Sequence, residues 1–237
     1  GFRTSKDRSM TDLQMLIGTY ERETQLAVRD LLRPGDIVVD VGAHIGFFTK
    51  LFSKAVGDSG LIYALEPHPT TFQTLVHNCR KQRNVRFLQA AASAISGEVE
   101  FYESDTSTGS NSLIPTRSVH HRQFRVPAVA LDDILRGTKV RLVKIDVEGA
   151  ELEVLSGMRD LIAHADSLTL IVEFFPPVWE SRGFAADHLI DTLEESQFHL
   201  CYIRSDGKLE KIPPYPDRKD FLQRIEKYVN LVATRVR

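Results

Sequence analysis

The sequence predicts an α/β fold, with a mostly parallel sheet flanked by helices. Three observations point there. Short apolar runs alternate with stretches of helical periodicity along the 237 residues, the signature of strand–helix–strand units. The first such run, Ile37-Val38-Val39, passes through a turn of small residues, Gly42 to Gly46, into a helix. Four strands then end in a carboxylate: Asp40, Glu66, Asp146 and Glu173. In an open parallel sheet, ligands bind beyond the carboxyl ends of the strands, so the connectivity gathers these acids along one rim. Each alone reads as a helix N-cap; four together are harder to dismiss as capping.

The elements follow in order. Thr11 to Ile17 and Glu23 to Leu32 carry the spacing of two N-terminal helices, the second stopped by Pro34-Gly35. After the first strand and its turn comes a helix from Phe47 to Lys54. Leu61 to Leu65 forms the second strand, with Glu66-Pro67 at its end, and a helix from Thr70 to Arg83 leads to a third strand, Val85 to Leu88. Ser96-Gly97 is placed as a hairpin turn into Val99 to Tyr102. Ser104 to Ser112, rich in Ser, Thr, Gly and Asp, reads as a flexible surface loop. Val126 to Ala130 reads as a short edge strand, because Pro127 lacks the N–H that a central strand uses.

Leu142 to Ile145 is the fourth core strand, followed by a helix beginning at Glu151 to Leu155. Leu168 to Val172 is the fifth, Ala185 to Glu195 a helix, His199 to Ile203 the sixth strand and Leu209 to Ile212 a candidate seventh. A helix from Phe221 to Leu231 is expected to close the chain, and the amphipathic, mildly basic segment Arg218 to Arg237 reads as a docking or dimer helix. The expected organisation is an N-terminal helical cap over residues 1–33 and one globular unit over 34–237.

Composition narrows the function. With 42% hydrophobic and 26% charged residues and a net charge of −2, the chain can bury a core, and it is neither a disordered acidic tail nor a strongly basic nucleic-acid binder. Two cysteines, Cys79 and Cys201, make no disulfide scaffold and read as buried small hydrophobes in a reducing, cytoplasmic setting. No apolar run approaches the roughly 20 residues that span a bilayer. Gly1 in place of methionine suggests a piece of a larger multidomain protein.

The turn Gly42-Ala43-His44-Ile45-Gly46 discriminates between ligands. A dinucleotide site wants G-x-G-x-x-G, its middle glycine clearing room for pyrophosphate, and His44 occupies that room. Asp40 before the turn disfavours a phosphate and suits a cation such as a sulfonium with an amino group. Glu66, at the end of the next strand, can accept hydrogen bonds from a ribose diol.

The densest motif is Lys144-Ile145-Asp146-Val147-Glu148-Gly149-Ala150-Glu151. Glu148 and Glu151 also have a structural reading, since acids favour a helix N-terminus. Asp146, Glu148 and Glu173 could offer oxygen ligands to Mg²⁺ or Ca²⁺, but spacing fixes no coordination geometry and no His or Cys cluster suggests zinc, so no metal is assigned. Phe174-Phe175-Pro176-Pro177 reads as a helix-blocking turn beside the rim.

Asp40-Val41-Gly42-Ala43-His44-Ile45-Gly46, Leu65-Glu66-Pro67 and Lys144 to Glu151 together resemble the FkbM-type methyltransferases. The resemblance runs from Gly18-Thr19-Tyr20-Glu21 to Glu173 and takes in Asn111-Ser112-Leu113 and Leu131-Asp132. It implies the Rossmann-like class I methyltransferase fold with a seven-stranded sheet, and S-adenosylmethionine as cofactor. Carried over by motif, Asp40, Gly42, Ala43, His44, Gly46 and Phe47 would hold the methionine part, Glu66 and Pro67 the ribose, and Gln89, Ala90 and Ala91 the adenine. Tyr20 and Glu21 would close over the cofactor, Asp146 would lie near its amino group or methyl, and Asn111 and Ser112 would meet the substrate. His44 departs from the pattern, where the family more often has Asn.

The resemblance also implies O-methylation of a hydroxyl on a small molecule or sugar-type acceptor. An aliphatic alcohol needs a general base, and Glu173, Asp146 and Glu148 are the carboxylates placed to serve, the first two favoured. The alternatives are an S-adenosylmethionine-binding module without catalysis and a nicotinamide-dependent oxidoreductase. Expected partners are the acceptor and, in a dimer, a second copy; nucleic acid and membrane are not expected.

Overall fold

The computed structural model describes residues 2–4, 10–104, 111–114, 120–225 and 228–236. In chain order, α1 (Met10–Ile17), α2 (Arg22–Leu31), β1 (Ile37–Val41), α3 (Phe47–Val56), β2 (Leu61–Leu65), α4 (Pro69–Cys79) and β3 (Val85–Leu88) build the first half. β4 (Ala91–Ala92), β5 (Gly97–Ser104) and β6 (His120–Val129) form a separate small sheet. Then come α5 (Leu131–Ile134), β7 (Leu142–Ile145), α6 (Glu151–Ser156), α7 (Arg159–His164), β8 (Ser167–Phe174), α8 (Pro176–Ser181), α9 (His188–Glu195), β9 (His199–Ile203), β10 (Leu209–Lys211), α10 (Arg218–Gln223) and β11 (Val229–Val236).

The main sheet has eight strands in the order β10-β9-β11-β8-β7-β1-β2-β3. Neighbours from β8 to β3 pair in parallel, whereas β11 pairs antiparallel with both β8 and β9, so the sheet is mixed. The central parallel strands are near-continuous apolar runs because helices cover both faces. Val39, Val41, Val143 and Ile145 pack on one side, with Leu131 and Trp179. Val38, Leu142 and Ile171 pack on the other, with Val28, Phe48 and Phe52 of α2 and α3. Among the described residues, no helix is long and apolar enough to cross a membrane.

Four expectations are corrected. The chain does not close with a helix: α10 stops at Gln223, and Val229–Val236 is a strand inside the sheet rather than a docking helix. A short apolar run gives no decisive period, and the β-branched content of this segment favours a strand buried on both faces. Pro127 lies in β6, the middle strand of the small sheet, not in an edge strand. It is tolerated because the two-residue β4 pairs only with Ala128 and Val129, leaving β6 an edge at Pro127. Ser96-Gly97 joins no hairpin: β4 pairs in parallel with β6, and β5 takes β6 as its antiparallel partner. Pro176-Pro177 does not block a helix but begins α8, where a proline loses no intrahelical hydrogen bond. Residues 105–110 of the expected loop lie outside the described residues.

β11 carries a prediction. Leu231, Val232 and Ala233 are buried, and the strand joins β9-β10 to the parallel half. Ending the chain at Tyr228 strips two hydrogen-bond ladders and opens the core. It is expected to abolish the cooperative thermal transition in circular dichroism; a sharp transition near the wild-type temperature would show β11 to be dispensable.

Candidate active site

β1 delivers the chain into a turn with three left-handed residues, Gly42 (φ 79), His44 (φ 48) and Gly46 (φ 88). The N–H groups of Gly42 and Ala43 both donate to the Leu65 carbonyl, at 3.1 and 2.9 Å, which fixes the turn to the end of β2. A Cβ on Gly42 would sit 1.9 Å from the Asp146 carbonyl oxygen, so only glycine lets β1 and β7 close here. Gly46 serves packing instead: its Cβ would meet Cys79 Sγ at 2.7 Å and Leu75 Cδ1 at 2.8 Å on α4, and it does not line the cavity.

Beyond this turn lies a cavity of about 460 Å³. The four strand-end acids, Asp40, Glu66, Asp146 and Glu173, all line it. So do Tyr20, Gly42, Ala43, His44 and Phe47, then Pro67, Ala90 and Ala91, and also Asn111, Ser112 and Glu148. Gln89 is exposed and outside it, since the side chain of Ala90, not its own, turns inward. Glu21 is buried but also outside: its Oε2 accepts a 2.8 Å hydrogen bond from Asn230 Nδ2, fastening the N-terminal segment to β11.

Each acid is held differently. Glu66 Oε2 accepts from the His44 N–H at 3.0 Å and Oε1 from the His68 N–H at 2.9 Å. Burial pushes its pKa up to about 7 against the pull of these two N–H groups. Asp40 Oδ2 accepts from Thr49 Oγ1 at 2.5 Å, tying β1 to α3, and burial raises it to about 6 although the Lys144 charge opposes. Asp146 Oδ2 takes a 2.6 Å ion pair from Lys144 Nζ.

Asp146, Glu148 and Glu173 place carboxylate oxygens within 4.8 Å of one another. Such oxygen donors suit a hard cation by chemistry, and two of the three, Glu148 and Glu173, are raised toward the protonated form. Burial, then the Asp146 and Glu151 charges, raise Glu148 to about 8. Burial, then Asp146 and Glu148, lift Glu173 well above the ordinary carboxylate range. Glu151 faces inward as a brace for its own loop, its Oε1 accepting from the Gly149 N–H at 3.0 Å.

Asn111 and Ser112 do different things. Asn111 Oδ1 accepts from the Ser104 N–H at 2.9 Å, while its Nδ2 is buried without a hydrogen-bond partner. Ser112 Oγ donates to the Glu148 carbonyl at 2.7 Å, bracing the left-handed Glu148 (φ 54). Sequence reasoning passed over Lys144, Trp179 and Tyr228, which also line the cavity. A lysine inside the apolar run Leu142 to Ile145 was a readable signal; Tyr228 was hidden by the misread C-terminal segment.

The sequence pattern of the methyltransferase FkbM domain matches residues 40–200. Hexuronic acid methyltransferase AglP of Haloferax volcanii is 30% identical over 131 residues, spanning 54% of this chain and 52% of AglP. The 31-O-demethyl-FK506 methyltransferase FkbM of Streptomyces tacrolimicus is 32% identical over 161 residues, 54% of this chain and 62% of that one. The chain thus spans about half to three fifths of these relatives' length. Aeropyrum pernix fibrillarin, solved with S-adenosyl-L-methionine bound, shares the fold at a TM-score of 0.51 with 13% identity, over 90% of this chain and 74% of fibrillarin. With the matched segment covering the Gly42 turn and all four rim acids, the chain belongs to the FkbM methyltransferase family and carries the class I methyltransferase fold.

Proposed function

We propose that this domain methylates a hydroxyl of a small-molecule or sugar-type acceptor rather than a nucleic acid, with Glu173 as general base. The observation that carries this reading is the placement of a proton-holding carboxylate cluster in the same cavity as the glycine turn. The names of the two relatives, one for a hexuronic acid and one for a 31-O position, support an oxygen acceptor.

The residues fit the cofactor. Gly42, Ala43 and His44 line the cavity, and its volume of about 460 Å³ lies in the size range of small-ligand sites. Glu66 uses one lone pair of each oxygen on backbone N–H groups, so each keeps another for a ribose hydroxyl. Ala90 and Ala91 offer a flat apolar wall for adenine, and Tyr20, packed edge-on against Phe47 at 5.6 Å, covers the turn. Negative charge dominates the walls, with Lys144 already committed to Asp146, which suits a sulfonium and opposes a pyrophosphate.

When bound, S-adenosylmethionine supplies an electrophilic methyl on a positive sulfur. The chain's task is to align an acceptor oxygen and remove its proton. The unpaired Asn111 Nδ2 is a donor for an acceptor oxygen, and Glu173 takes the hydroxyl proton.

Calorimetric titration tests the donor half. Micromolar binding of S-adenosylmethionine and S-adenosylhomocysteine is expected, with none for NADH. Glu66→Ala should weaken both adenosyl ligands at least tenfold, since a diol-to-carboxylate pair is worth about 1.5–3 kcal/mol. An unchanged affinity would remove Glu66 from the ribose. Binding without turnover across a broad hydroxyl panel would favour the inactive-module reading.

A further inference from the structure

Lys144 is a charge in the middle of the sheet. Its side chain is 2% exposed, and it stands in register with Asp40 of β1 on one side and the apolar Ile171 of β8 on the other. Burying an ion pair this deeply gives little net stability, because desolvation offsets the attraction, and an apolar residue of similar volume often serves the fold as well. The geometry supplies a different reason for it. Residues 144 and 146 lie on the same face of the chain leaving β7, so the lysine runs along the strand toward the rim and meets Asp146 from the sheet side. Its Nζ is 2.6 Å from Asp146 Oδ2 and 4.7 Å from the Phe48 ring centre on α3, which closes the ammonium between a carboxylate and an aromatic face. Burial works against this charge, but the Asp146, Glu21 and Asp40 carboxylates outweigh it and hold the ammonium charged. Asp146 Oδ1 has no hydrogen-bond partner among the described residues, and Asp146 lines the cavity.

We propose that Lys144 is a positioning residue, which pins one oxygen of Asp146 against the sheet so that the other is presented to the cationic end of the cofactor. The proposal rests on the donor reading above and adds which side chain sets the Asp146 rotamer. Without the ammonium, Asp146 is free to turn and faces Glu148 and Glu173 uncompensated.

The test is a double-mutant cycle on S-adenosylmethionine affinity, by calorimetry, with folding checked by circular dichroism. Lys144→Met is expected to weaken binding at least tenfold, Asp146→Asn to a similar degree, and the pair together no more than about threefold beyond either. A purely structural lysine would instead repeat its full loss in the Asp146→Asn background, and that additive outcome overturns the proposal. So does a Lys144→Met chain that binds within threefold of wild type. Should Lys144→Met not fold, Asp146→Asn alone decides: wild-type affinity there would leave Lys144 nothing to position, whereas a tenfold loss in a folded chain supports it. A wild-type chain that binds no S-adenosylmethionine overturns the donor reading itself, and this proposal with it.

Discussion

Gly42→Ala is expected to lose S-adenosylmethionine binding by at least a hundredfold and to unfold at markedly lower temperature. Two effects add. The left-handed backbone (φ 79) costs a non-glycine residue about 1–3 kcal/mol. The new Cβ would also stand 1.9 Å from the Asp146 carbonyl oxygen and 2.9 Å from its carbon, atoms of backbone with no rotamer to yield. Relief requires β1 and β7 to part at the point where the glycine turn and the rim acids meet. Overpacking of this kind costs about 1–3 kcal/mol more. The sum, about 2–6 kcal/mol, corresponds to a fall in Tm of roughly 5–20 °C for a chain of this size. Gly57→Ala is the control: Gly57 also has a positive φ (65), which strains a side chain, but nothing lies within 4 Å of its Cβ. It should show the backbone cost alone and bind the cofactor normally. Equal behaviour of the two variants would remove the special closeness of Gly42 to Asp146 from the account.

The elements that proved legible share a physical property: their signal is local. β1, β2 and β7 are apolar apart from Asp40 and Lys144 because both faces are covered, and each is followed within a few residues by a turn that carries glycine or a carboxylate. That is why the four rim acids could be placed together from connectivity alone. What escaped depends on distant partners. β4 is two residues long and exists only because β6 lies beside it. β11 is inserted between β8 and β9, and nothing in Val229 to Val236 announces which strands will flank it. Glu21 is held outside the cavity by Asn230, 209 residues away in the chain. Gln89 is exposed outside the cavity, whereas the three alanines that follow it, Ala90, Ala91 and Ala92, line it. Ser112 lines the cavity with its hydroxyl donating to the Glu148 carbonyl and accepting from the Ile114 N–H, whereas Asn111 Nδ2 is buried without a partner.

Glu173→Gln is expected to lower kcat by about 10² to 10⁴, the usual contribution of a positioned general base, while leaving cofactor affinity within threefold. The choice among the three clustered acids follows from what each already does. Asp146 already gives its Oδ2 to the Lys144 ammonium at 2.6 Å. Glu148 sits on a braced left-handed residue and is raised to about 8. Glu173 leaves the end of β8 with no hydrogen bond or ion pair among the described residues, and its proton affinity is lifted by burial and by both neighbours. A base must be ionised to act, so kcat/KM should rise tenfold per pH unit through the range in which Glu173 loses its proton, then level off. The bound sulfonium favours the ionised carboxylate, so the corresponding limb in kcat should lie at lower pH than in kcat/KM. In Glu173→Gln both limbs should vanish, leaving a slow rate that no longer rises with pH. If the limb survives in Glu173→Gln but disappears in Glu148→Gln, the proton goes to Glu148 instead, and the acceptor hydroxyl must then approach from the Ser112 side of the cavity, where the Glu148 carbonyl is held.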